Sequence, residues 1–399
     1  MPDASPSVLA DWDVEPVLDW LAREGRLIAD GAVLVERLAE RLVAAGAPLV
    51  RFTIGLQAIH PQWRTMGLQW RRGQPIVQAA RPHGIEQTSD YIGSPIQELA
   101  LTGRPVRYRL DRLPPESHTV LHELRASGGT DYYATPMKVA EGRPVALTFM
   151  TDRPEGFSDA DIAKFHRLID HIAPIVEARV NHRLSTTLMD TYLGRIVGEQ
   201  ILSGRIKRGD GQQINAVLWF SDLRDFTGLN ERLAADDLLE LLNNYLQLVG
   251  DALKAHGGEI LKFIGDGVMA YFPAEDALFL RQVTGNALGA ARRLIDDIEA
   301  ANEARAAGGH DPVRFGIGLH VGPVIFGNIG TEDRLDFTVI GPAVNRASRL
   351  EGLTKALGVP VLASAEFNAA STVPMKSMGK HRLRGVPEPV EVFTLPEMA

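Results

Sequence analysis

The 399-residue sequence contains no cysteine, which excludes disulfides, cysteine–zinc sites, iron–sulfur clusters and thiolate-ligated haem. It also lacks long apolar runs, and none approaches the roughly 18–20 residues that a helix needs to cross a bilayer. Residues 1–16 are acidic and contain proline, without the basic and apolar regions of a signal peptide. These absences predict a cytoplasmic protein that acts without a membrane.

Positive charge is in the minority, with a net charge of −8 and a pI near 5.8. No run of like charges is long enough to form a basic arm or an acidic tail. Both features argue against nucleic acid as a partner, because phosphate binding depends on clustered Lys and Arg. The hydrophobic fraction of 45% can fill two cores, and the length predicts two domains of roughly 100–200 residues each.

The N-terminal half combines helical and strand-like patterns. Apolar residues recur at helical spacing through residues 14–47. Shorter runs predict strands at 48–59, 63–70 and 105–110, and two more within 132–154 around a turn at Glu141-Gly142.

A long amphipathic helix is predicted to follow, with Ser158 and Asp159 as candidate N-caps. Residues 132–180 resemble the C-terminal half of a GAF domain, which implies a sensory domain of unknown ligand. We expect the helix to continue through 182–204. The resulting assignment is a GAF-like domain at 1–180, a helical connector at 181–211 and a second domain at 212–399.

The N-terminal half also carries histidines and aromatic residues. Without cysteine, a haem would need a histidine ligand, although scattered or hydrogen-bonded histidines are the simpler interpretation. The aromatics could line a small-molecule pocket, although core packing is the simpler interpretation. The histidines are His60, His83, His118, His122, His166 and His171, and the aromatics are Trp63, Trp70, Tyr91, Tyr108, Tyr132 and Tyr133.

The second domain opens with a buried-type strand at 216–220, an acidic residue, Asp222, just past its end, and a helix from near Thr227. A carboxylate in this position can hold a cation, and the free amides of a helix start can hold phosphate oxygens. Taken alone, the pattern is more often a simple N-cap.

A hairpin is predicted within 257–273, with Asp266 between two glycines at its tip. Asp266 could merely satisfy the turn geometry. If the two strands are neighbours, however, Asp266 lies beside Asp222, and two carboxylates can bridge a pair of divalent cations for in-line displacement at phosphorus. Lys262 lies four residues before Asp266, so alternation predicts that both face one side.

A third segment, 334–355, combines a short strand, a Gly-Pro break and a helix that carries Asn345 and Arg349. These two share a helical face because they are four residues apart. An arginine that meets charge on a phosphoryl group is a recurring device of phosphoryl transfer. By itself, such a pair is usually a solvated face.

Together, FSDLRDFT, KFIGDGVMA and DFTVIGPAVNRASRLEG resemble the catalytic domain of class III adenylate and guanylate cyclases over residues 212–393. The resemblance implies a mixed α/β domain with a ferredoxin-like βαββαβ core. It implies that Asp222 and Asp266, with the Leu223 backbone, bind two Mg²⁺ or Mn²⁺ ions per site.

The resemblance also implies a substrate. Lys262 and Thr338 occupy the two base-recognising positions, where Lys with Thr or Asp is similar to adenylate cyclases and Glu with Cys is similar to guanylate cyclases. Lysine can donate to an unprotonated ring nitrogen of adenine, whereas guanine presents an N–H there. The implied substrate is therefore ATP.

The remaining implied roles concern the sugar and the phosphates. Asn345 would position the ribose, and Arg349 would stabilise the α-phosphate transition state. Amides at Phe226 and Thr227, with Arg384, would meet the departing phosphates.

In this family the catalytic domains pair head to tail, which implies a homodimer. Each site would take its metal and base residues from one subunit and Asn345 and Arg349 from the other. One departure from the family is Asp225, where Gly is usual. Two consequences are open: weaker ATP or altered metal binding, or an outward carboxylate that bonds the helix N-terminus.

Three rival interpretations remain. The first is a cyclase that uses GTP or a pyrimidine triphosphate, against which Lys262 and Thr338 argue. The second is a diguanylate cyclase, whose GGDEF-type signature is absent. The third is a catalytically silent sensor or interaction protein that keeps the cyclase fold.

Overall fold

The computed structural model describes residues 12–57, 62–139, 145–274 and 277–398. The chain divides into two compact units, Met1–Thr187 and Leu188–Ala399. His60 and the expected turn at Glu141-Gly142 lie outside the described residues. No helix within the described ranges combines the length and the apolar character that a membrane crossing needs.

The first unit is built on one antiparallel sheet with the strand order β3-β2-β1-β6-β5-β4. Its strands are β1 Arg51–Gln57, β2 Trp63–Arg71, β3 Gln74–Pro82, β4 Val106–Arg109, β5 Asp131–Met137 and β6 Val145–Thr151. The helices that begin in this unit are α1 Glu15–Arg23, α2 Gly31–Ala44, α3 Pro95–Thr102, α4 Thr119–Ala126 and α5 Asp159–Leu193.

Helices cover both faces of this sheet. The cluster with α1, α2 and α5 contains Tyr133, whereas the cluster with α3 and α4 contains Tyr132. Adjacent strand residues point to opposite faces, so each tyrosine fills a different core. This confirms the core interpretation for both tyrosines and for Trp70, which is also buried.

Several candidate histidines already have hydrogen-bond partners. Nε2 of His118 lies 2.9 Å from the Ser89 carbonyl oxygen, and Nε2 of His166 lies 2.6 Å from the Tyr133 hydroxyl. Nδ1 of His171 lies 2.8 Å from a carbonyl oxygen one turn earlier. These contacts fit the simpler interpretation of the histidines.

The helix after Ser158 forms as expected, and the Ser158 hydroxyl accepts from the Asp161 amide at 3.1 Å. The expectation of one uninterrupted helix through 182–204 was wrong. At Gly194 the backbone takes φ +85°, a conformation that glycine adopts at little cost. A separate helix, α6 Arg195–Leu202, follows.

The second unit contains an eight-stranded sheet with the order β13-β14-β12-β10-β7-β9-β8 and with β11 paired to β10. Its strands are β7 Gly211–Leu223, β8 Glu259–Ile264, β9 Gly267–Ala274, β10 Phe315–Gly330, β11 Leu335–Ile340, β12 Val361–Ser364, β13 Lys376–His381 and β14 Val390–Thr394. Its further helices are α7 Phe226–Arg232, α8 Ala235–Ala255, α9 Leu280–Ala307, α10 Pro342–Leu357 and α11 Ala365–Ala370.

The chain order β7, α7 with α8, β8, β9, α9, β10 and the sheet order β10-β7-β9-β8 give the expected βαββαβ core. Val217 and Trp219 of β7 pack with α8 and α9, whereas Ala216 and Leu218 pack with α10. The alternation along β7 thus builds a core on each face of the sheet. The end of β7 lies between these helical layers.

Candidate active site

Two carboxylates meet where β7 and the β8–β9 hairpin end. Asp222 pairs with Gly316 of β10 and is the second-last residue of β7. It therefore lies inside the strand rather than past its end as expected. Ser221 pairs with Val268 of β9, and Ile264 pairs with Gly267, so Asp266 lies in a two-residue turn beside Asp222. The structure therefore brings the predicted acidic pair together.

The two carboxylates interact directly. Burial is the main cause that raises the pKa of Asp222 to about 7, followed by a hydrogen bond with Asp266 and by the charges of Asp266 and Glu351. Ionising Asp222 in this half-buried place beside Asp266 is unfavourable without a nearby positive charge. The Leu223 amide acts in the opposite direction, because its hydrogen bond to Asp222 lowers the pKa.

The pair also fits a cation. Oδ1 of Asp222 is buried without a hydrogen-bond partner, and carboxylate oxygens are the donors that Mg²⁺ prefers. In the described ranges, no three His, Cys, Asp or Glu side chains converge as a metal-binding group. Any cation here would therefore depend on two carboxylates and on other oxygen donors such as backbone carbonyls.

Glu351 of α10 is a third acidic neighbour that the sequence reasoning missed. Gly316 pairs with Asp222 across β10 and β7, and a Cβ on Gly316 would lie 2.9 Å from Oε1 of Glu351. Burial raises the pKa of Glu351 to about 7, with Arg224 lowering it and Asp266 raising it further. Its position four residues after the buried Ala347 was the available signal for a buried carboxylate.

Lys262 and Thr338, the residues expected to recognise the base, lie near a further acidic residue, Asp336. Lys262 of β8 forms an ion pair with Asp336 of β11. Thr338, two residues further along β11, is buried and shares a strand face with Asp336 by alternation. Lys262 and Thr338 therefore lie near the same segment of β11, and Asp336 is a charged neighbour of Lys262 that the sequence reasoning missed.

The alternation argument that linked Lys262 to Asp266 was wrong. β8 ends at Ile264, so Asp266 lies in the turn, and the strand register shifts between Ile260 and Lys262. Period-two alternation holds only within a regular strand. The structure instead links Lys262 to β11.

Asn345 and Arg349 both lie on α10. Asn345 is exposed, and a Cβ on Gly385 would lie 3.4 Å from Nη2 of Arg349. Arg349 therefore lies against the backbone next to Arg384, which is exposed. Within the described part of the chain, neither Asn345 nor Arg349 forms a hydrogen bond or ion pair with Asp222 or Asp266.

Phe226 and Thr227 open the short helix α7, directly after Asp225. The Asp225 carboxylate is exposed, which agrees with the expectation that it points outward. It does not bond the N-terminus of the helix, however, so that part of the expectation was wrong. It lies instead 3.5 Å from Nη2 of Arg232. The amides at the start of α7 are therefore not occupied by the Asp225 side chain.

Comparison with known proteins places this geometry in a family. Residues 211–396 match the family described as "Adenylate and Guanylate cyclase catalytic domain". Adenylate cyclase 1 of Rhizobium meliloti is 28% identical over 291 residues, which is 70% of this chain and 43% of that protein. Adenylate cyclase of Anabaena cylindrica is 36% identical over 161 residues, which is 39% of this chain and 31% of that protein. The chain thus spans less than half the length of these curated relatives.

A solved structure is also similar. The crystal structure of the adenylyl cyclase CyaB from P. aeruginosa has 30% sequence identity to this chain and a TM-score of 0.42, covering 46% of this chain and 94% of that one. The match at residues 211–396 spans the whole βαββαβ core, the acidic pair and α10. The C-terminal half of the chain is therefore similar to the catalytic domain of the adenylate and guanylate cyclase family over residues 211–396.

Proposed function

We propose that the C-terminal unit converts ATP to 3′,5′-cyclic AMP and pyrophosphate. The observation that carries the proposal is the pair Asp222 and Asp266, held together at the end of β7 with an unpaired buried oxygen. Such a pair suits the displacement of pyrophosphate from the α-phosphorus by the ribose 3′-oxygen.

Mg²⁺ or Mn²⁺ is the proposed cofactor, with two ions per site. Asp222 and Asp266 would hold them, together with the Leu223 carbonyl. When bound, these cations would supply electrostatic stabilisation to the attacking and leaving oxygens. The fit rests on hard oxygen donors and on the unpaired Oδ1 of Asp222.

The other side chains have separate proposed tasks. Arg349 offsets charge that develops on the α-phosphoryl oxygens, and Asn345 orients the ribose. The free amides at Phe226 and Thr227 bind phosphate oxygens of the leaving group, with Arg384 adding positive charge. Each task is a matter of position and charge, and none requires covalent catalysis.

Adenine selection is proposed for Lys262 and Thr338. The ion pair with Asp336 restricts the long Lys262 side chain, so that its ammonium group can be presented in one direction. An ammonium group donates hydrogen bonds only, which suits the unprotonated ring nitrogen of adenine and disfavours the N–H of guanine.

A homodimer is part of the proposal, because Asn345 and Arg349 are not joined to the acidic pair of their own chain. Large apolar side chains are also exposed near the site, including Phe263 and Ile264 at 54% each and Ile340 at 43%. Large exposed apolar side chains on a domain surface are typical of an interface. The partner's Asn and Arg would then complete each site.

We further propose that the first unit is a GAF-like sensory domain that regulates the cyclase. Its six-stranded antiparallel sheet with helices on both faces supports this assignment. The helix α5, which starts in the first unit and ends at Leu193, is the proposed carrier of the signal.

The test is to incubate the full-length protein with Mn²⁺ or Mg²⁺ and ATP, GTP, CTP or UTP in parallel, and to identify the products by chromatography. We expect cyclic AMP from ATP, lost by at least about 1,000-fold in Asp266→Ala because a cation ligand is removed. Asp236→Ala, an exposed residue on α8, is the matched control and retains activity.

The other outcomes are equally informative. A cyclic product from GTP alone would overturn the roles of Lys262 and Thr338 and leave the cyclase chemistry standing. No product from any nucleotide would favour the catalytically silent interpretation.

A further inference from the structure

The first unit contains a large cavity that the cyclase chemistry does not use. Its volume is about 870 Å³, within the range of roughly 300–1,000 Å³ that is usual for small-molecule sites. It lies among α2, the strands β1, β2 and β3, and the second half of α5. All of its lining residues belong to the first unit.

The walls of the cavity are mainly apolar. The sheet contributes Ile54, Met66 and Leu68, and α5 contributes Val176 and Val180. Trp63, at the start of β2, also lines the cavity, so the pocket interpretation holds for this aromatic residue. Such walls favour an apolar ligand, because removing apolar surface from water is favourable.

One charged side chain in the wall lacks a counter-charge. Nη1 of Arg179 donates to the Ala29 carbonyl at 2.8 Å, and Nη2 donates to the Ile28 carbonyl. Nε of Arg179 is buried without a hydrogen-bond partner. Among the described residues, Arg179 forms no ion pair with a carboxylate. A partly buried N–H donor without an acceptor is unfavourable, and so is a partly buried charge without a counter-charge.

The other charged groups of the wall do not remove this need. Asp30 lines the cavity, but its carboxylate accepts from the Ala32 and Val33 amides and caps α2. Glu177, which already has an interaction partner, and Arg183 also line it. A carboxylate from a ligand would satisfy Nε of Arg179 with a charge-assisted hydrogen bond.

We propose that this cavity binds an elongated apolar molecule with a carboxylate head, of the fatty-acid class. The chain lies along the apolar wall between α5 and the sheet, and the carboxylate meets Arg179. Because α5 continues to Leu193, a ligand held between this helix and the sheet is placed to act as the regulatory signal of the chain. The binding itself does not depend on the proposed cyclase activity.

The test uses the full-length protein titrated with dodecanoate, below its micelle concentration, against the neutral analogue 1-dodecanol. Trp63 is the reporter, and we expect a saturable change in tryptophan fluorescence that Trp63→Phe abolishes. Arg179→Gln is expected to weaken dodecanoate binding by at least tenfold and to leave dodecanol binding nearly unchanged. Arg179 also donates to two backbone carbonyls, so Arg179→Gln could disturb the fold. Arg179→Lys, which keeps the charge, is therefore the second variant, and we expect it to retain most of the affinity.

A filled cavity provides an independent check. Ala80 of β3 lines the cavity, so Ala80→Phe is expected to abolish binding. Val77→Phe, on the same strand at an exposed position outside the lining, is the matched control and keeps binding. Equal affinity for dodecanol and dodecanoate would overturn the carboxylate head, and binding that survives Ala80→Phe, or no binding of either probe, would overturn the site. None of these results depends on whether cyclic AMP is formed.

Discussion

Asp225 is the one residue other than glycine that has a positive φ in the described part of the chain, at φ 63° and ψ 30°. The left-handed conformation is unfavourable for residues that carry a Cβ, by roughly 1–2 kcal/mol, although Asp tolerates it better than most. The family usually has glycine here, and the backbone geometry gives the physical reason.

We predict that Asp225→Gly is more stable than Asp225→Ala by about 1 kcal/mol. Both variants lose the exposed pair with Arg232, which contributes little, so the difference isolates the cost of a Cβ. Urea unfolding of both variants measures it. Equal stabilities would show that residue 225 is not left-handed in solution.

His320 gives a second prediction, because burial is the main cause that lowers its pKa to about 4. Nδ1 lies 2.8 Å from the Ser364 hydroxyl and 3.8 Å from Glu366. With a lowered pKa the ring is neutral at pH 7, so the contact with Glu366 is not an ion pair there. The lowering by burial outweighs the raising effect of Glu366.

The sign of the pH dependence follows directly. The unfolded chain takes up a proton on His320 near pH 6.5, whereas the folded chain resists it until about pH 4, so stability is lost as pH falls through that window. Between pH 7 and pH 5 we expect roughly 2 kcal/mol of stability to be lost through His320. The urea concentration at the unfolding midpoint should decrease more between pH 7 and pH 5 for the native protein than for His320→Gln. An equal fall in both would assign the acid sensitivity to other groups.

At the scale of elements, the sequence predicted the strands and helices that carry dense local signals. The β8–β9 hairpin was found because Gly265 and Asp266 interrupt two apolar runs, and α10 because its apolar spacing follows a Gly-Pro break. The helices α3 and α4 and the strand β3 were not predicted. β3 is largely exposed, so it lacks the apolar alternation on which such predictions depend.

In the candidate site, too, the sequence predicted the residues that lie in local motifs and missed those brought in by tertiary contacts. Asp222 and Asp266 lie in motifs that local sequence defines, and the fold brings them together as expected. Glu351 and Asp336 were missed because their importance comes from tertiary neighbours. Glu351 approaches the acidic pair only where α10 crosses β10, and Asp336 meets Lys262 only because β11 lies beside that side chain.

The crossing of α10 over β10 gives an element-scale prediction. A Cβ on Gly318 would lie 2.2 Å from the Ala347 carbonyl oxygen and 2.3 Å from the Glu351 amide, both of which are helix backbone. Gly318→Ala must therefore push α10 away from the sheet, and we expect it to lower the free energy of unfolding by roughly 2–3 kcal/mol.

Gly352→Ala, on α10 itself, is the control. Nothing lies within 4 Å of its added Cβ, so this substitution should raise stability by up to about 1 kcal/mol through helix propensity. Thermal and urea unfolding of the two variants provide the comparison. If Gly318→Ala were as stable as Gly352→Ala, the close approach of α10 would not exist in solution.

At the scale of the whole molecule, the proposed division of roles between Arg349 and the acidic pair determines how many chains a working site needs. Arg349 lies against Gly385, whereas Asp222 and Asp266 lie at the end of β7. In the proposed homodimer a second copy supplies its own Arg349 to the acidic pair, so each working site would need two chains.

This difference predicts complementation between two inactive proteins. Asp222→Ala and Arg349→Ala should each abolish cyclic AMP formation, because each homodimer lacks one essential group in both sites. Unfolding and mixing equal amounts, followed by refolding, should restore roughly a quarter of the native activity, since half of the dimers would be mixed and each would hold one intact site. The double variant Asp222→Ala/Arg349→Ala mixed with native protein provides the control, because its mixed dimers place both defects on one chain and leave neither site intact. If mixed dimers of the two single variants form, as native mass spectrometry would show, and remain inactive, each chain must build its site alone.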